Sequence, residues 1–168
     1  MSCSSSQYAQ TPPDYHDSLS VALVDVAEGS FFAFVDPCEP VHFNELARGV
    51  RSWIQASVLF DGPFGGAVLV VVTEPLARSL FSAFLGTESD VVPMESALFD
   101  LLGEFSNMVC GHWLTRSCQH GRFDLRHPEV ARLHRDQLTP DPSDCVLFAI
   151  NDEPCYVRLA LSGDSECR

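Results

Sequence analysis

Residues 94–116, M-E-S-A-L-F-D-L-L-G-E-F-S-N-M-V-C-G-H-W-L-T-R, run on without a proline from just after Pro93. Met94, Leu98, Leu101, Phe105, Met108, Val109 and the His112/Trp113 pair recur at the spacing of a helix. At about 100° per residue these positions share one face, so the stretch is a long helix laid against a core. A second stripe, Asp100, Glu104, Asn107 and Gly111, follows the spacing i, i+4, i+7, i+11. Its centre falls roughly 120° from the centre of the apolar face. Glu104 and Asn107 thus stand one turn apart on a partly exposed flank, a carboxylate beside a carboxamide on a rigid mount.

The segments around this helix arrange themselves by period and punctuation. Residues 17–35 read as a helix through Leu19, Ala22, Leu23, Val26, Phe31 and Phe34, with Asp17 or Ser18 as N-cap and Gly29 weakening its middle. Asp36-Pro37-Cys38-Glu39-Pro40 ends it. Residues 50–60 read as a strand, with Trp53, Ala56, Val58 and Phe60 set against polar neighbours. Residues 61–66 are a turn, and residues 67–72 a second strand, apolar enough to be central in its sheet. Thr73 then caps a helix with Pro75 in its first turn and Gly86 as its stop.

Beyond Arg116, residues 121–125 read as a short strand, and Glu129 to Gln137 as a helical turn or two after Pro128. Residues 145–150 and 156–161 form a hairpin joined by Asn151-Asp152-Glu153-Pro154. Residues 1–16 and 163–168 read as poorly ordered ends of a single domain, 17–162. The fold class expected is α+β: two layers, an antiparallel sheet built from hairpins with long helices packed on one face.

Composition narrows the chemistry. The 168 residues, 46% hydrophobic, suffice for one domain with a core. Net charge is −13, and all ten basic residues are arginine. That argues against nucleic acid or an anionic membrane as partner. With neither a P-loop nor a lysine, any phosphate chemistry needs cations from the partner. Seven cysteines, an odd number without C-x-x-C, fit reduced thiols in a cytoplasmic protein. No apolar run reaches ~18 residues, and the first residues lack the pattern of a secretory signal.

Other constellations are weak. Cys110/His112 and Cys118/His120 have i, i+2 spacing, which points side chains apart on a helix, so no metal of the chain's own is expected. His120, His127 and His134 read as surface histidines, and Ser106 and Ser117 have no arranged His/Asp partner. Arg122, Arg126, Arg132 and Arg135 read as offsetting local acids, with contact to an acidic partner edge as the alternative.

The string Asp100-Leu-Leu-Gly-Glu104-Phe-Ser-Asn107-Met-Val-Cys-Gly111, with Pro128 downstream, resembles the motif of the CheC/CheX/FliY chemotaxis phosphatases. The Gly65-Gly66 hairpin and the E-P-L-A-R-S-L-F-S-A-F-L-G segment are similar to what precedes the motif in CheX-like proteins. A single E-x-x-N points to the CheX-like branch. The resemblance implies a phosphatase acting on the aspartyl phosphate of a CheY-like receiver domain. In that scheme Asn107 orients water and Glu104 pairs with the receiver's lysine, with Asp100, Gly111 and Pro128 supporting or contacting the partner. It implies Mg²⁺ on the receiver, no cofactor here, and a homodimer. The sequence departs from the family where His112-Trp113 replaces a lysine after the glycine, and where no glycine closes the segment after Pro128. The alternative expectation is an adaptor of the same fold that docks on a receiver or self-associates without hydrolysis.

Overall fold

The computed structural model describes residues 15–86, 92–118, 121–138, 140–141 and 143–162. In chain order the elements are α1 (Tyr15–Phe31), β1 (Val35–Pro37), α2 (Pro40–Leu46), β2 (Trp53–Asp61), β3 (Gly66–Thr73) and α3 (Glu74–Leu85). Then come α4 (Glu95–Ser117), β4 (Asp124–Leu125), β5 (Glu129–Leu133), a 3-10 turn (Arg135–Gln137), β6 (Cys145–Ile150) and β7 (Glu153–Leu161). All strand pairs are antiparallel, in the order β1-β6-β7-β3-β2, with β4 and β5 both on the outer side of β2.

Alternation along each strand sorts the core into two faces. Ile54, Ala56, Val58 and Phe60 of β2 join Val68, Val70 and Val72 of β3 and Val157 of β7 beneath α1, α3 and α4. Trp53, Val71, Leu147 and Tyr156 point the other way, onto Phe43 of the short α2. The expected α+β class and the long helices on one face are both present.

Helix α3 follows its sequence signals. Thr73 Oγ1 accepts from the Leu76 amide at 3.1 Å, and Gly86 leaves the helix at φ 61°. Helix α4 buries Leu98, Leu102, Phe105, Val109 and Trp113, and also Gly103, Ser106 and Cys110, so its covered face is wider than the apolar stripe alone. Met94, counted in that stripe, precedes the helix and is 75% exposed.

Several expectations need correction. Helix α1 begins at Tyr15, so residues 15 and 16 are not part of a loose tail; residues 1–14 and 163–168 lie outside the described residues. It ends at Phe31 rather than residue 35. Phe32 takes φ 52°, and the Ala33 amide reaches back six residues to the Ala27 carbonyl at 3.0 Å, a left-handed closure of the helix. The usual stop residue for that closure is glycine, so a phenylalanine there gives no warning in the sequence. Residues 35–37 then pair with β6, and α2, not expected, starts on Pro40.

Residues 129–133 are a strand, not a helical turn. Val130 and Leu133, three apart, mimic a helix face, yet Val130 packs toward the helices and Leu133 toward the opposite face. Strand β2 begins at Trp53, which faces away from Ala56, Val58 and Phe60. The β6–β7 loop is only Asn151–Asp152, both at positive φ (48° and 64°), while Glu153 and Pro154 belong to β7.

Candidate functional site

Two walls make the site. The first is the outward side of α4, where Asp100 and Glu104 are exposed and Asn107 is half-buried. The helix can hold them firmly because its other side is sealed in the core. None of the three side chains has a hydrogen-bond or ion-pair partner among the described residues.

The second wall comes from the strand margin beside β2. Strand β4 pairs Leu125 with Phe60, whereas β5 pairs Glu129 with Ser57. Between these pairs, Val58 and Leu59 of β2 oppose Arg126, His127 and Pro128. Three residues against two is a β-bulge. It resets the alternation, so Leu125 and Val130, of opposite parity, both pack on the main core. Pro128 has no N–H to offer a ladder, and the bulge asks for none. The Arg126 amide donates to the Leu59 carbonyl at 2.8 Å, and its guanidinium reaches Asp61 Oδ2 at 2.9 Å from Nε and 2.8 Å from Nη2.

Between the walls lies a groove of about 680 Å³. Asp100, Glu104 and Asn107 line it from α4; Arg126, His127 and Pro128 line it from the bulge, and Phe99, Leu125 and Val130 supply apolar surface. The walls touch at Gly103, where a Cβ would come within 3.3 Å of Pro128 Cβ.

Four of the five sequence-predicted site residues, Asp100, Glu104, Asn107 and Pro128, therefore share one groove. Gly111 does not line it; it lies further along α4, where an added Cβ would meet only Leu125 Cδ2, at 3.9 Å. His112 turns from the groove to Asp25 of α1, with Nε2 3.0 Å from Oδ2. Cys110 is buried, and burial pushes its thiol up to about 12. The Ser106 hydroxyl is buried in the core without a hydrogen-bond partner among the described residues. His120 lies outside the described residues. Among the described residues no cluster of three His, Cys, Asp or Glu is placed to hold a metal ion. Arg126 and Arg132 do offset acids, the first at Asp61 and the second at Glu74 and Glu95.

The sequence reading missed Arg126 and His127 as groove residues. The only local signal was the change of apolar parity from Leu125 to Val130 across a proline. Chemically, the groove offers an exposed anion for a partner's cation and an amide able both to donate to and to accept from water.

Comparison with known proteins bears on the family and the fold. Residues 54–150 match the family model described as chemotaxis phosphatase CheX. The fold is similar to CheX from Vibrio vulnificus, with TM-score 0.68 and 16% identity over 92% of this chain and 100% of that one. CheX from Desulfovibrio desulfuricans gives 0.67 and 18% over 89% and 99%. A chain of the CheX–CheY–BeF3–Mg²⁺ complex from Borrelia burgdorferi gives 0.60 and 15% over 89% and 99%. No curated protein matches the sequence. At such identities the structural likeness speaks for the fold alone, but the family match spans more than half of the sequence, and the chain belongs to the CheX family of chemotaxis phosphatases.

Proposed function

We propose that this protein accelerates hydrolysis of the aspartyl phosphate on a CheY-like receiver domain. The observation that carries this reading is the pairing of Glu104 with Asn107 on the open wall of the groove, both side chains without partners among the described residues. Family membership supports it, as does the existence of a CheX–CheY complex in a relative of the same fold.

The acyl phosphate is already activated, so placing water in line accounts for much of the gain. Asn107 holds that water; its oxygen bonds to phosphorus as the bond to the aspartyl oxygen breaks. The products are inorganic phosphate and a free carboxylate. Glu104 makes a charge-assisted bond to the receiver's ammonium, fixing how α4 enters. The receiver brings its own Mg²⁺. The same reading puts the protein in the cytoplasm, and the family resemblance adds self-association into a homodimer.

The test is the lifetime of a receiver charged with acetyl phosphate. Wild type shortens it; Asn107→Ala removes at least about tenfold of the acceleration while binding persists. Glu104→Gln raises the half-saturating receiver concentration, by roughly tenfold for a lost charge-assisted bond. A second reading, docking without hydrolysis, has its own observation: the family's lysine is replaced by His112, which is engaged with Asp25. Wild type that binds the receiver yet leaves the phosphate lifetime unchanged decides for that reading.

A further inference from the structure

We propose that Gly103 is a positioning residue: lacking a Cβ, it lets the Pro128 bulge close on α4 and so sets the strand wall's distance from Glu104 and Asn107. This rests on the phosphatase reading.

Helices α1 and α4 contain three glycines, Gly29, Gly103 and Gly111, each costing about 1 kcal/mol of helix stability against alanine. At Gly29 an added Cβ would meet nothing within 4 Å, and at Gly111 it would make an ordinary contact at 3.9 Å. Only Gly103 of the three uses its missing side chain. A Cβ there would meet Pro128 Cβ at 3.3 Å, Pro128 Cγ at 3.6 Å and Val130 Cγ2 at 3.6 Å.

Pro128 has little freedom to retreat. On one side Glu129 is already in the β2 ladder, paired with Ser57. On the other the Arg126 amide is bound to Leu59. A side chain at position 103 therefore has to move either the bulge or the turn of α4 that carries Glu104. Both outcomes change the spacing of the two walls by tenths of an ångström. A water held for in-line attack is sensitive to displacements of that order, while broad docking of the partner is not.

The experiment compares wild type, Gly103→Ala, Gly29→Ala, Pro128→Gly and the double variant Gly103→Ala/Pro128→Gly on a receiver charged with acetyl phosphate. It reads kcat, the half-saturating receiver concentration, Tm, and affinity for the receiver carrying beryllofluoride. Gly103→Ala is expected to keep Tm, half-saturation and affinity while kcat falls about tenfold. Gly29→Ala raises Tm and leaves kcat alone. Pro128→Gly lowers kcat from the other side of the contact, and the double variant is no slower than the slower single one, as expected for two residues acting through one contact. If Gly103→Ala does not fold, Pro128→Gly alone carries the test. Wild-type kcat in Gly103→Ala, or in Pro128→Gly where that stands alone, overturns the proposal. So does a kcat loss matched by equal losses of Tm and affinity. A wild type without activity removes the phosphatase reading and this inference together; an active wild type with an unaffected variant removes the inference alone.

Discussion

Glu74 illustrates how much one side chain can organise. It opens α3, where a carboxylate suits the helix N-terminus. Its Oε1 accepts from Arg78 at 2.6 Å, and its Oε2 from Arg132 at 2.7 Å and Ser52 at 2.9 Å. Arg132 also reaches Glu95 at the start of α4, so the cluster joins β5, α3 and α4. The bonds from Arg132, then Arg78, then Ser52 hold the Glu74 carboxyl down at about 2. A carboxyl lowered in the folded state adds stability above its unfolded value, and loses it as the folded form takes up the proton. Acid titration should thus lower Tm between about pH 4.5 and about pH 2 through this group, and Glu74→Gln should flatten that part of the profile. Only the Glu74–Arg78 pair, four residues apart on α3, lies within reach of local reading; the other members lie as far apart in sequence as Ser52 and Arg132. Asn107 and Glu104 were legible, since their neighbours along one helix settle which side they occupy.

At the scale of elements, legibility follows how local the deciding interaction is. Helix α3 could be read to the residue because Thr73 and Gly86, its cap and its stop, both lie beside it in the chain. The end of α1 could not, because Phe32 occupies a left-handed position that favours glycine. Phe32 is 74% exposed, so little packing compensates its strain. Phe32→Gly should therefore stabilise the fold by about 1 kcal/mol, read as a higher midpoint in urea with unchanged slope. Strand β5 was misread for a different reason. Its partner β2 lies more than seventy residues upstream, and the bulge at residues 126–128 is a relation between two strands rather than a property of either. The groove's helical wall was therefore visible in the sequence, and of its strand wall only Pro128 was.

Across the whole molecule, charge and topology set the remaining behaviour. A net charge of −13 surrounds a groove whose helical wall carries Asp100 and Glu104, neither in an ion pair among the described residues. Association with a receiver that presents a cation should slow as salt rises, because screening weakens steering before contact. Stopped-flow measurement of the association rate against ionic strength should show this slope, and Asp100→Asn should reduce it. Topology acts on another clock. The last hairpin, β6–β7, lies between β1 and β3, and Asn151 at its tip bonds Phe34 and Ser79. During translation, then, β1 and β3 have no neighbour to join them until Leu161 has left the ribosome, and the nascent chain must wait for its final strands before its sheet can close.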